Sequence, residues 1–304
     1  MMKSYIERIM LTEQCNLKCS YCYQTNKKHS LLSNKLAQKR IEYLNNVISN
    51  DDVDFLSINL FGGEPFLNWS VFEMFLDSFE NRDNVLISTI TNGVLLTDNI
   101  IKRLKNANNF ELEISMDGIL ESNRARKFLN DKTTFYIVRD NILKCLYHGL
   151  NPIIRLSIGK HNNKYLRDSL IFLKNLGIKK VIIQQIVFNK LTLSNEELKS
   201  CLDEIKHLND DTFQIDLFCK DTQIANDFKD IKLENYLRDD APKTEWNVFQ
   251  ANGISYTHYS CEPLNLDDSE QYSLGFDCDL EEIGILSITD FNLDEPYTRY
   301  SERG

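Results

Sequence analysis

Short apolar, β-branched runs at residues 5–12, 54–61, 84–91, 110–116, 152–159 and 180–188 alternate with segments whose apolar residues recur every three or four positions. Runs of that length read as buried strands, and the three-to-four spacing reads as amphipathic helix. Ala37, Ile41, Leu44 and Ile48 form one helical stripe, and Leu166, Leu170, Leu173 and Leu176 form another. Parallel strands need a crossover, and a helix supplies it, so six such units in succession predict a parallel sheet closed or partly closed into a barrel. The expected fold class is α/β, a partial (βα)6 barrel of TIM-like form over residues 1–190. The alternation then stops, and residues 191–304 are expected to form a smaller C-terminal α+β region. Within it, residues 194–208 read as a helix opened by Ser194 as N-cap, with Glu197 three positions on. Asn252-Gly253 between Trp246–Gln250 and Ile254–Tyr259 suggests a hairpin.

Composition narrows the class. The 304 residues are 42% hydrophobic and 26% charged, as in ordinary globular proteins. No run approaches the roughly 18 apolar residues that span a bilayer, and the opening MMKSYIERIML lacks the features of a signal peptide. The expected location is the cytoplasm, with no membrane partner. A net charge of −10 argues against general binding to phosphate backbones, so nucleic acid is not an expected partner. It leaves basic peptides and small molecules open as substrates. Eight cysteines in such a chain are not a disulfide framework, and the clustering of Cys15, Cys19 and Cys22 suggests metal binding.

Active sites of such barrels lie in the loops after the strands. Here Cys15 to Cys22 follow the first strand, Gly62-Gly63-Glu64-Pro65 the second, and Thr91-Asn92-Gly93 the third, while Ser115-Met116-Asp117-Gly118 end the fourth. Four unusual clusters at consecutive strand ends point to one pocket. Three thiolates can hold a [4Fe-4S] cube and leave one iron without a protein ligand. A structural zinc site is the alternative on spacing alone, with a fourth ligand from elsewhere. Gly62 and Gly63 allow close approach of the backbone to a ligand, or else a tight turn ended by Pro65. Ser115 and Asp117 carry side chains that bond hydroxyls or cap a turn, and Asn92-Gly93 is also a common turn pair.

Cys-x3-Cys-x2-Cys with the aromatic Tyr21 beside the last cysteine resembles the signature of the radical S-adenosylmethionine (radical SAM) superfamily. Phe61 to Pro65, Ile90 to Gly93 and Ile114 to Gly118 resemble its later motifs in order and spacing, so the likeness covers about residues 4–190. The branch most resembled modifies peptides and proteins, of the SPASM/twitch, sulfatase-maturase-like type. The resemblance implies that Cys15, Cys19 and Cys22 bind a [4Fe-4S] cluster. The open iron would be chelated by S-adenosylmethionine, which is cleaved to a 5′-deoxyadenosyl radical that abstracts hydrogen from the substrate.

The same resemblance assigns Gly62, Gly63 and Glu64 to the methionine amino group. It assigns Asn92, Ser115 and Asp117 to the same cofactor and Tyr21 to the vicinity of adenine. Arg126, or Arg124, is assigned to the cofactor carboxylate, although Ser122-Asn123 stands where relatives carry His-Asp. It implies a peptide substrate undergoing crosslinking, thioether formation or epimerisation. It also implies an electron donor such as flavodoxin or ferredoxin. No recognition domain precedes the first strand, so a separate recognition protein or the C-terminal region would bind the peptide. Cys219, Cys261 and Cys278 are weak catalytic candidates, or ligands of a second iron–sulfur cluster. Cys145 and Cys201 read as ordinary thiols in helices. The alternatives are an enzyme of the same superfamily acting on a small molecule, nucleotide or RNA, and a non-catalytic cluster-binding regulator.

Overall fold

The computed structural model describes residues 4–22, 24, 30–49, 53–186 and 190–218, with the backbone of 245–249 and 255–258. Strands β1 Ser4–Thr12, β2 Phe55–Gly62, β3 Val85–Thr91, β4 Phe110–Ser115, β5 Ile153–Ile158 and β6 Lys180–Gln185 fall on the six expected runs. Between them lie α1 Asn34–Ile48, α2 Trp69–Phe79, α3 Asp98–Lys105, α4 Phe135–Tyr147 and α5 Leu166–Leu176. Each strand pairs in parallel with the next, in the order of the chain. The expected α/β architecture of successive βα units is therefore present.

The sheet extends further than the apolar runs indicate. After α6 (Asn195–Asp203), strand β7 (Gln214–Phe218) adds in parallel to β6. On the other side β8 (Glu245–Phe249) pairs in parallel with β1, and β9 (Ser255–His258) pairs antiparallel with β8. These last two are the strands of the expected hairpin, although Asn252-Gly253 between them lies outside the described residues. The predicted helix over 194–208 ends at Asp203, and a separate 3-10 turn spans Lys206–Leu208. Its start is as expected: Ser194 accepts from the Glu197 N–H while the Glu197 side chain accepts from the Ser194 N–H.

Alternation along the strands sorts the side chains into two environments. Leu56, Ile58 and Leu60 of β2, with Ile154, Leu156 and Ile158 of β5, are buried among Phe72, Phe75 and Phe79 of α2 and Leu170 and Leu173 of α5. The opposite face carries polar groups at the alternate positions: Arg8 of β1, Asn59 of β2, Ser88 of β3, Glu113 of β4, Arg155 of β5 and Gln184 of β6. The inner face of the curved sheet is thus built to be polar. Gly118 shows how tightly the outer layer closes. It has φ +103, and a Cβ there would lie 2.0 Å from the Ser169 Cβ on α5.

The core sets a direct expectation. Phe72 is fully buried and meets the rings of Phe66 at 5.0 Å and Trp69 at 5.3 Å. Phe72→Ala is expected to lower stability by about 3–5 kcal/mol, and Ser194→Ala by about 1 kcal/mol, both read from denaturant midpoints.

Candidate active site

The cysteine loop is held by backbone on both sides. At the end of β1 the Thr12 hydroxyl accepts from the Gln14 N–H at 3.0 Å and donates to the Ser30 carbonyl at 2.9 Å. Gly63 N–H donates to Thr12 O at 2.9 Å and Glu64 N–H to Gln14 O at 2.8 Å. Any side chain at these glycines would strike that backbone: a Cβ on Gly62 would lie 2.2 Å from Thr12 O, and one on Gly63 2.3 Å from Gln14 O. Farther along, Lys18 N–H donates to Lys127 O at 2.9 Å and Ser20 N–H to Ala125 O at 3.1 Å. Cys15 Sγ accepts from the Leu17 N–H at 3.4 Å, and Asn92 Nδ2 lies 3.8 Å from it.

Two buried carboxylates fix the remaining strand ends. Glu64 is fully buried and accepts from Thr91 Oγ1 at 2.7 Å, Asn92 N–H at 2.8 Å and Phe66 N–H at 3.2 Å. It thereby ties the end of β2 to the end of β3. Burial pushes its carboxyl up to about 7 against those three donors. Asp117 is equally buried and accepts from the Tyr21 hydroxyl at 2.6 Å, the Ser157 N–H at 3.1 Å and Arg126 Nε at 3.2 Å. The Arg126 guanidinium also lies 5.4 Å from the centre of the Tyr21 ring. Ser122 donates to Asp117 O at 2.5 Å, and Asn123 Oδ1 accepts from the Asp117 N–H at 3.0 Å. The Ser122-Asn123 pair that departs from the family pattern therefore serves to hold Asp117.

An open cleft lies at these strand ends. Cys15, Cys19 and Cys22 border it together with Tyr21, Gly62, Gly63, Asn92, Ser115 and Arg126. Of the cofactor-contact residues singled out from sequence, Glu64, Asp117 and the alternative Arg124 do not border it, and the two carboxylates are committed to neighbouring protein groups. Arg8, Arg155, Ser157 and Gln184 do border it and were not anticipated. Their signal was available as polar residues interrupting apolar runs in β1, β5 and β6. Cys145 is buried in α4 and Cys201 is half-buried in α6. Cys219, Cys261 and Cys278 lie outside the described residues.

The donor set fits an iron–sulfur cube. Among the described residues no three His, Cys, Asp or Glu side chains converge on a single-ion position. The three thiols instead border one cavity, as donors to separate corners of a cluster must. Burial pushes the Cys19 thiol up to about 12, with Arg126 opposing, so a thiolate at that position requires a strong positive charge beside it.

These features define a protein whose cysteine loop, backed by a glycine pair, faces an open cleft at the mouth of a parallel α/β sheet. Residues 9–173, more than half of the 304-residue chain, match the Radical SAM superfamily, and the chain belongs to that superfamily of iron–sulfur enzymes. It is 31% identical over 174 residues to the radical SAM cyclopropyl synthase TigE of Paramaledivibacter caminithermalis, covering 52% of this chain and 33% of that one. It is 30% identical over 224 residues to the GTP 3′,8-cyclase of Campylobacter jejuni subsp. doylei, covering 70% of this chain and 65% of that one. The chain thus spans less than two thirds of either relative's length. Among solved structures it is similar to anSMEcpe with bound AdoMet (TM-score 0.66, 18% identity, 88% of this chain and 79% of that one). It is also similar to Streptococcus suis SuiB bound to the precursor peptide SuiA (TM-score 0.64, 13% identity, 97% and 70%). These structures share the fold. Among the described residues no helix is long and apolar enough to cross a membrane.

Two expectations follow. Gly63→Ala is expected to displace the cysteine loop, so that protein reconstituted without oxygen retains well under half of the wild-type iron per chain in a colorimetric assay. Because folding raises the Glu64 pKa, its stabilising contribution is complete below the ordinary value of 4.5 and is lost as pH rises through about 7. The melting temperature of the cluster-free protein should therefore fall less steeply over that range in Glu64→Gln than in wild type.

Proposed function

We propose that this chain is a peptide-modifying radical SAM enzyme in which Cys15, Cys19 and Cys22 hold a [4Fe-4S] cluster with one open iron. When bound, the cluster and S-adenosylmethionine supply a 5′-deoxyadenosyl radical capable of abstracting hydrogen from an unactivated carbon. The observation that carries this reading is the shared border of one cavity by the three thiols, the Gly62-Gly63 backbone, Ser115 and Arg126. The superfamily match and the likeness to SuiB with its precursor peptide support it.

The protein's own groups divide the work. The backbone of Gly62 and Gly63, with Asn92, faces the amino end of the cofactor. Arg126, aimed by its bond to Asp117, meets the carboxylate as a charge-assisted donor. Ser115 would bond a ribose or carboxylate oxygen, and the Tyr21 ring, fixed through its hydroxyl, would stand beside the adenine. Glu64 and Asp117 act through the neighbours they fix. The electron arrives from a small donor such as flavodoxin or ferredoxin.

The GTP cyclases among the relatives favour a second reading, a nucleotide substrate. The two separate in one experiment. The chain is co-expressed with each short open reading frame that adjoins its gene, and is also incubated, reconstituted and reduced, with GTP. The peptide reading predicts loss of two hydrogens from the peptide, or uptake of deuterium at one α-carbon in heavy water, with GTP left intact. Conversion of GTP with the peptide unmodified would overturn it. The Cys15/Cys19/Cys22→Ala variant should release 5′-deoxyadenosine at less than about one hundredth of the wild-type rate, as expected when a catalytic unit rather than a helper is removed.

A further inference from the structure

The chain segment that carries the cysteines has a second side. Leu17 and Phe128 pair across an antiparallel bridge, with Lys18 N–H on Lys127 O at 2.9 Å and Ser20 N–H on Ala125 O at 3.1 Å. Along such a ribbon successive side chains point to opposite sides, and residues directly opposite share a side. Leu17, Cys19 and Tyr21, with Arg126 across from Cys19, border the cleft. The alternate residues Lys18 and Ser20 are exposed, and Lys127 stands across from Lys18. The hairpin beyond is held by Phe128 N–H on Lys132 O and Asp131 N–H on Phe128 O, both at 3.0 Å. It carries the exposed Lys132 and, near its tip, Leu129, which is 65% exposed.

This outer side is cationic in a chain of net charge −10. Over residues 15–20 and 124–132, Lys18, Arg124, Lys127 and Lys132 stand against Asp131, while Arg126 is buried and paired with Asp117. Cations still outnumber carboxylates when the flanking Glu13 and Glu121 are counted. The three thiolates do not cancel them, because they border the cleft on the other side, where the irons of a cluster would meet them. Lys18 and Lys127, directly opposite, repel each other. Asp131 relieves only part of this: it bonds Lys18 at 2.9 Å, and Lys18, then Lys127, hold its carboxyl below the usual range. An exposed ion pair of this kind contributes little. A partner of opposite sign would offset the remaining repulsion.

We propose that the outer side of this ribbon, centred on Lys18, Lys127 and Leu129, is the docking surface for an acidic one-electron carrier protein. This rests on the cluster reading above. The carrier is oxidised by one electron and the cluster reduced by one, and no bond forms or breaks in that step. Lys18 lies between Cys15 and Cys19 in the chain, so a carrier seated there is separated from the thiols by the thickness of one chain segment. Electron-transfer encounters bury little area, so a small apolar centre within a charged rim suffices. Charge complementarity in such an encounter acts mainly on its rate.

The full chain, reconstituted without oxygen, is mixed rapidly with flavodoxin hydroquinone, an acidic carrier, and separately with reduced methyl viologen, a small cation. Loss of cluster absorbance gives the rate. Relative to wild type, Lys18→Glu/Lys127→Glu is expected to lower the second-order rate constant with flavodoxin by about ten-fold at low salt. Asp131→Asn is expected to raise it about two-fold, and asparagine tolerates the left-handed φ of +66 at that position. Both differences should shrink at about 1 M salt, where the screening length is about 3 Å. Iron per chain should match wild type, and the rate with methyl viologen should fall in neither variant. Equal flavodoxin rates in the three proteins would overturn this proposal alone, as would a loss shared with methyl viologen or one that salt leaves intact. Wild-type protein whose cluster methyl viologen reduces without releasing 5′-deoxyadenosine from S-adenosylmethionine would overturn the cluster reading, and this proposal with it.

Discussion

The close approach of two backbones positions the site. Gly62 and Gly63 lie so near the chain at residues 12–14 that even one methyl group at either glycine would collide with carbonyl oxygens at 2.2–2.3 Å. That contact fixes where the loop leaves β1, and hence where the three thiols face. The other end of the loop is clamped by Asp117, which holds the Tyr21 hydroxyl and Arg126 from beneath. Two strand ends, β2 and β4, thus locate a loop that carries no regular structure across most of its length. A loop held in this way is pre-organised for a ligand, so less binding energy is spent on ordering it.

The two faces of the sheet explain how the fold holds so polar a centre. The outer face buries an aliphatic and aromatic core against the helices, and this supplies the stability. The inner face carries arginines, a glutamate, serines and amides, each costly to bury alone. They are tolerated because they pair, as Arg155 does with Glu113 and Arg126 with Asp117. The buried pairs are therefore better understood as devices that aim donors into the cavity than as sources of stability.

Much of this was legible in the sequence, for physical reasons. Strands β1 to β6 are buried on the helix side and announce themselves as apolar runs, and the cysteine and glycine clusters sit where backbone geometry leaves few alternatives. Strand β7 was not legible: its five residues alternate Ile215 and Leu217 with Gln214 and Asp216, a pattern too short to stand out. The parallel pairing of β8 with β1 is a long-range contact that local periodicity does not encode. The pattern singled out Glu64 and Asp117 as cofactor contacts without telling that their carboxylates bond neighbouring protein groups. It passed over Arg8, Arg155 and Gln184, because single polar residues in apolar runs look like interruptions until the curvature of the sheet gathers them around one space.

The central claim is that Cys15, Cys19 and Cys22 hold a cube whose fourth iron is open to the cofactor. Electron paramagnetic resonance of the reduced, anaerobically reconstituted protein tests it most directly. The account predicts the signal of a reduced [4Fe-4S] cluster whose g-values shift when S-adenosylmethionine is added. A spectrum indifferent to that addition, or protein that carries zinc at these cysteines in place of iron, would contradict it.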